Sequence, residues 1–331
     1  MRLGVDGRSL TGSGRGIAQY TGGLVEALDA EGVDVRVLVP RGRAFHGAAA
    51  LLGRPRLDRR FGGVDVVWLP APAPVAVSRG TPYVLTIHDL GFLERPADLT
   101  AYERLWHRMA RPAALARRAA RVIAPTADSA ARVRARFGVD VTVVPAGTGD
   151  PGPQPAPPAV AALHARFGSY FLYVGALDPR KALDHLVAAH RGLEPALVLA
   201  GEGRLAARLT GPNVHLVGRV DRAEKAALYA GAIAVVLPSW LEGYGYPPLE
   251  GYAHGTPAIV SDLPALRETA GAGALYVPPG DTPAFAAAMR ELAGDEVLRR
   301  RLAAYGADAL RDRTWEASAR GLLAVLREAA A

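Results

Sequence analysis

Two carboxylates stand eight positions apart in Leu241-Glu242-Gly243-Tyr244-Gly245-Tyr246-Pro247-Pro248-Leu249-Glu250. The run Ala234-Val235-Val236-Leu237 before them reads as a strand, closed by the turn residues Pro238 and Ser239. Pro247 and Pro248 suit the first positions of a helix, where no N–H is needed. Strand, glycine-rich turn and helix start together make a place for anions and polyols. The N–H groups there are unpaired, and the helix dipole adds positive potential. An ionised carboxylate only accepts hydrogen bonds, so Glu242 and Glu250 suit a ligand rich in hydroxyl donors, such as a sugar or a ribose.

Further residues of the same kind lie elsewhere. Val174-Gly175-Ala176-Leu177-Asp178-Pro179-Arg180-Lys181 follows a strand and opens a helix, so its cations face the crevice at the strand's carboxyl end. Lysine acts there as a point charge and arginine as a fork. A loop charge is usually just solvated, but Lys181 and Lys225 are the only lysines in the chain. Lysine at position 181 therefore runs against the composition. His88 stands at a strand end in Thr86-Ile87-His88-Asp89-Leu90. Gly12, Gly14 and Gly16 lie in the stretch Thr11–Tyr20 between a first strand and a helix. Neither Gly12 nor Gly14 begins a G-x-G-x-x-G, so the dinucleotide fingerprint is not met.

These residues need rigid elements behind them. Short apolar runs supply a first series of strands at Arg2–Val5, Val35–Val39, Val64–Leu69, Tyr83–Ile87, Val122–Ala124 and Val141–Val144. A second series runs Tyr170–Val174, Ala196–Ala200, Val214–Val217, Ala234–Leu237, Ala258–Val260 and Ala274–Val277. Helical segments such as Ala18–Ala30, Tyr102–Ala120, Leu183–Arg191 and Pro283–Leu292 alternate with them. Continuous apolar strands alternating with helices predict parallel sheets covered on both faces. Two such series predict an α/β chain of two doubly wound, Rossmann-like domains. Asp150 to Pro158 reads Asp-Pro-Gly-Pro-Gln-Pro-Ala-Pro-Pro, too proline-rich for helix or central strand. The expected division is therefore 1–149, a linker at 150–160, and 161–312, followed by an amphipathic helix within 313–331.

Composition narrows the function classes. Among 331 residues, half are hydrophobic, enough for two cores, and there is no cysteine for disulfide or thiolate chemistry. A net charge of +7 favours anionic partners without choosing among them. No apolar run reaches about 18 residues, and Met1-Arg2-Leu3-Gly4-Val5-Asp6 reads as a first strand, so a cytoplasmic location is expected.

The segment Glu242 to Glu250 resembles the E-x7-E signature of retaining glycosyltransferases of family four, which have the GT-B fold. Leu237-Pro238-Ser239 before it and Gly251-Tyr252-Ala253-His254-Gly255-Thr256-Pro257-Ala258-Ile259-Val260-Ser261 after it resemble the same family. The resemblance implies two domains facing a cleft, with the final helix crossing back to the first. It implies a nucleoside diphosphate sugar on the second domain and a hydroxyl acceptor, saccharide or small molecule, on the first. Glu250 would hold ribose hydroxyls and Glu242 the sugar. Lys181 and Arg180, which match a Pro-Arg-Lys variant of the family loop, would neutralise the leaving diphosphate with no metal and no cofactor. Ala176 stands where other members carry arginine. His88 would reach the donor sugar. Gly14 and Gly16 resemble a glycine loop near the donor phosphate, with Ala18 in place of its second glycine. Gly243, Tyr244, Gly245, Tyr246 and Gly175 frame the donor. Glu202 in Gly201-Glu202-Gly203 and Arg219 in Gly218-Arg219-Val220 resemble loops around the base.

Two other classes compete. One is another GT-B nucleotide-sugar enzyme, such as an epimerase. The other is a basic nucleic-acid-binding protein using Arg111, Arg117, Arg118, Arg121, Arg132, Arg134 and Arg136. These arginines lack interleaved aromatics and suit solvated helix faces, so no nucleic-acid partner is expected. The basic stretch Arg104–Arg111 fits an anionic membrane surface less well than an ordinary helix, because Trp106 and Met109 have core spacing and Pro112 interrupts the face.

Overall fold

A computed structural model describes residues 1–11, 16–39, 52–54, 56–148 and 154–331. Gly14 and the start of the expected linker lie outside them. The chain divides into two compact units, 1–147 with 313–331, and 148–312.

The sheet of the first unit contains β1 (Arg2–Asp6), β2 (Asp34–Leu38), β3 (Val66–Leu69), β4 (Tyr83–Thr86), β5 (Arg121–Ala124) and β6 (Thr142–Val143). Their order is β2-β1-β3-β4-β5-β6, and all the pairings are parallel. Val66, Val67, Trp68 and Leu69 are all fully buried, as a central parallel strand covered on both faces requires. The strand order reverses between β1 and β3, so the loops leaving their carboxyl ends part and open a crevice.

The helices Gly16–Ala30 and Trp315–Ala330 belong to this unit. A Cβ at Gly23 would come within 2.3 Å of the Trp315 ring, so the glycine is what lets the two helices meet there. Ser318 Oγ donates to the Pro145 carbonyl at 2.6 Å and fixes the final helix on its own sheet.

The helix expected over 102–120 is two helices, Ala101–Ala110 and Pro112–Arg118. Proline lacks an N–H and drives the preceding residue out of the right-handed region, and Arg111 accordingly sits at φ 47°. Thr100 and Glu103 form a capping box that sets the start of the first helix.

The second unit holds β7 (Tyr170–Val174), β8 (Ala196–Ala200), β9 (Val214–Gly218), β10 (Ala234–Leu237), β11 (Ala258–Ser261) and β12 (Ala274–Val277). The order is β12-β11-β10-β7-β8-β9, again parallel throughout. β7 and β10 are neighbours from which the chain winds away in opposite directions. In such sheets the ligand crevice lies outside the carboxyl ends of that pair. The loops leaving β7 and β10 carry Arg180, Lys181 and Glu242, and the helix that follows the second, Tyr246–Tyr252, carries Glu250. Both units therefore have the doubly wound, Rossmann-like architecture of the GT-B fold.

Candidate functional site

The loop after β7 ends in a short turn, Pro179–Lys181, and Ala182 at φ 50° launches the helix Leu183–His190. The loop after β10 runs to Gly245, whose φ of 85° starts the helix Tyr246–Tyr252. A Cβ on Gly245 would lie 2.4 Å from the tip of the Leu266 side chain, and it is the left-handed backbone that calls for glycine there. Trp240 N–H donates to the Arg180 carbonyl at 3.0 Å and Arg180 Nη1 to the Leu241 carbonyl at 3.4 Å, tying the two loops together.

Glu242 lies at the centre of this junction, only 6 % exposed. Lys181 Nζ and Ser239 Oγ both donate to its Oε1, the serine at 2.6 Å, and Arg180 Nη1 lies 3.8 Å from Oε2. Burial alone would push this carboxyl up. The charges of Lys181 and Arg180, with the bonds from Lys181 and Ser239, outweigh it and hold Glu242 below the usual carboxylate range. Two cations against one anion leave a positive excess at the crevice, suited to phosphate oxygens.

Glu250 is held by different partners. Lys225 Nζ donates to Oε1 at 2.9 Å and Tyr229 OH to Oε2 at 2.6 Å, both from the helix Arg222–Gly231. Burial, and then the Glu250 charge, push the Tyr229 phenol well up, so it stays a donor. Lys225, Tyr229 and Ser239 are not among the site residues expected from sequence. The rarity of lysine that marks Lys181 marks Lys225 equally.

The remaining expected residues fall into two groups. Gly243, Gly245 and Tyr244 are buried, and the Tyr244 carbonyl accepts from Thr269 Oγ1 at 2.7 Å, so Tyr244 braces the loop from inside. Tyr246 is half-buried, 5.0 Å from the Tyr244 ring. Gly175 N–H donates to the Ala200 carbonyl at 3.0 Å, and Leu177 N–H to the Glu202 carbonyl at 3.0 Å. The loops after β7 and β8 are thus stitched through their backbones. Gly201 is indispensable to that seam: at φ 151°, a Cβ would sit 1.8 Å from the Gly175 carbonyl oxygen. The side chains of Glu202 and Arg219 are exposed.

In the first unit, His88 follows β4. Its Nε2 lies 2.9 Å from the Pro70 carbonyl, which only accepts, so Nε2 carries the proton and Nδ1 is left as an acceptor. The ring meets Tyr20 edge to face at 4.7 Å. Burial pushes the imidazole down, against the opposing pull of Pro70 and Asp89, and keeps it neutral near pH 7. Gly16 is exposed at the start of its helix. A cavity of about 530 Å³ lined by Arg79, Thr81 and Arg118 lies at the amino ends of β4 and β5, at the opposite end of the strands from His88. Among the described residues no three His, Asp or Glu side chains converge as a metal site, and no helix is long and apolar enough to cross a membrane.

Comparison with known proteins gives the same picture for each unit. The model of the glycosyl transferases group 1 family matches residues 168–295, and that of glycosyltransferase family 4 matches residues 14–148. Phosphatidyl-myo-inositol mannosyltransferase of Mycobacterium leprae is 29% identical over 361 aligned positions, covering 94% of this chain and 92% of that protein. Among solved structures, sucrose-phosphate synthase from Thermosynechococcus elongatus superposes with TM-score 0.80 at 22% identity, covering 99% and 98% of the two chains. HepE of Anabaena, solved with UDP and glucose, superposes with TM-score 0.72 at 16% identity, covering 98% of each chain.

Proposed function

We propose that this chain, a GT-B glycosyltransferase of the family-four type, moves a hexosyl group from a nucleoside diphosphate sugar to a hydroxyl acceptor with retention and without a metal. The observation that carries this is the Lys181–Glu242–Arg180 cluster at the switch point of the second unit. The donor's diphosphate binds the excess positive charge of Arg180 and Lys181. As the glycosidic bond to phosphate breaks, negative charge grows on the leaving diphosphate, and the two cations stabilise it more than they stabilise the bound donor. That role is the one a divalent ion fills in other transferases, and it supports metal independence.

Glu242 orients Lys181 through its own carboxylate and turns toward the sugar hydroxyls when the diphosphate draws the lysine away. Glu250, steadied by Lys225 and Tyr229, accepts from the ribose hydroxyls. Glu242 accepts from Lys181 and Ser239 and is held by them rather than aimed as a nucleophile, which favours front-face substitution: the departing diphosphate takes the acceptor proton while the new bond forms on the side the leaving group vacates. His88 presents a neutral acceptor nitrogen for a sugar hydroxyl. The mannosyl group in the Mycobacterium leprae relative's name and the UDP and glucose in HepE make nucleoside diphosphate mannoses and UDP-glucose the first donors to try. The enzyme works in the cytoplasm, where nucleotide sugars are made.

Calorimetric titration with UDP-, GDP- and dTDP-sugars tests the reading. One nucleotide series should bind in the presence of EDTA, and Glu250→Ala should weaken it by about 1–3 kcal/mol, the cost of leaving a hydroxyl donor unpaired. Failure of all three series to bind would contradict the proposal.

A further inference from the structure

Asp6 and Arg8 stand at the carboxyl end of β1, where the strand order of the first unit reverses. Asp6 is buried and Arg8 half-buried: the Arg8 side chain keeps 14% of its exposure and that of Asp6 1%. Asp6 accepts from Arg8 Nε at 2.7 Å and from Nη2 on its other oxygen. The guanidinium plane is therefore fixed. Its third nitrogen, Nη1, is out of reach of water and has no hydrogen-bond partner among the described residues. The cation lies 5.6 Å from the centre of the half-buried Trp106 ring.

The support beneath Arg8 is rigid. Ser9 Oγ donates to Thr21 Oγ1 at 2.8 Å, pinning the short turn Gly7–Thr11 to the helix Gly16–Ala30. A Cβ at Gly7 would lie 2.5 Å from Val37, so the turn is seated directly on β2. A purely structural ion pair is complete with the two bonds to Asp6 and would leave Nη1 to water. Here a charged donor is desolvated with no bond to any described residue, an arrangement that is costly unless an acceptor arrives.

The geometry points to Arg8 as an anion receptor in the acceptor subsite: Nη1 donates to an oxygen of a phosphate group carried by the hydroxyl acceptor, admitted as the Trp106 ring swings aside. This rests on the reading of the chain as a transferase with a hydroxyl acceptor, and it gives that acceptor a chemical class, a phosphorylated alcohol. Asp6 aims the guanidinium and is a positioning residue.

Fluorine NMR of the full chain labelled with fluorotryptophan, with Trp106 assigned through Trp106→Phe, reads the site directly. Inorganic phosphate should shift the Trp106 signal saturably in the wild type. The shift should vanish in Arg8→Gln, and should need about tenfold more phosphate in Arg8→Lys, which keeps the charge but loses the fork. No shift in the wild type, or an equal one in both variants, overturns the inference. A second arm separates an acceptor's phosphate from free phosphate. The wild type should favour a polyol monophosphate over the plain polyol by about 10- to 100-fold in kcat/KM, and Arg8→Gln should lose that preference. Equal use of both acceptors by the wild type overturns the acceptor assignment. Because the NMR titration needs no donor, failure of sugar transfer with an intact Trp106 shift would sink the transferase reading and leave the anion site standing.

Discussion

Lys181→Ala separates the electrostatic account of the site from a purely catalytic one. Lys181 donates to a carboxylate that is almost fully buried, and the substitution leaves Glu242 with Ser239 and with Arg180 at 3.8 Å. Removing one partner of a buried ion pair costs about 3–5 kcal/mol. Because Arg180 remains, the lower end of that range is expected at neutral pH. The sign of the pH dependence follows from the two pKa directions. In the wild type Glu242 is held low, so the stability it lends is present above about pH 4.5 and is lost as pH falls through its lowered value. In the variant burial dominates and lifts the carboxyl, so stability falls as pH rises past the unfolded value. The two curves should lie close near pH 4 and separate by about 3 kcal/mol near pH 7. Replacing the anion as well, in Lys181→Ala/Glu242→Gln, should restore most of the stability and none of the turnover. Urea unfolding followed at Trp240, the one tryptophan between positions 148 and 312, reports on the second unit. Unfolding midpoints that match the wild type at every pH would refute the buried-pair argument.

Other outcomes follow from the same geometry. Lys225→Met should cost less than about 1 kcal/mol of stability, because a third of that side chain is exposed, yet raise the donor KM as Glu250 loses its anchor; steady-state kinetics beside a melting curve read both. Gly201→Ala forces a Cβ into the Gly175 carbonyl and should lower stability by on the order of 1–3 kcal/mol, measured by urea unfolding. His88 is depressed, so the stability it lends is complete above about pH 6.5 and is lost as pH falls through its lowered value. His88→Gln should flatten that part of the first unit's stability curve, followed by circular dichroism in urea.

The strands were legible because each is a short apolar run, and a run such as Val66–Leu69 buried on both faces leaves few alternatives. The junction of Glu242 with Lys181 was half legible: the loop positions followed from strand and turn signals, but their contact depends on β7 and β10 being neighbours. Tyr229 and Ser239 escaped for a related reason. A tyrosine in the middle of one helix becomes the partner of Glu250 only when that helix lies beside the next, and no local pattern encodes this. Lys225 was within reach, since the same scarcity that marks Lys181 marks it. Arg8 was hidden among the many arginines, and only burial tells it from a solvated one. The break at Arg111 was written in Pro112, while the need for glycine at 201 lies in the approach of a different loop.

Retaining, metal-free transfer from a nucleoside diphosphate sugar, proposed for the charged cluster of the second unit, can be watched as it happens. The most direct test is a proton NMR time course with the donor that binds, an accepting alcohol and excess EDTA, observing the anomeric proton of the first product formed. Nucleoside diphosphate should be released and the product should keep the donor's anomeric configuration, with both lost in Lys181→Ala/Glu242→Gln. A product of inverted configuration, or turnover abolished by EDTA and restored by a divalent cation, would contradict it.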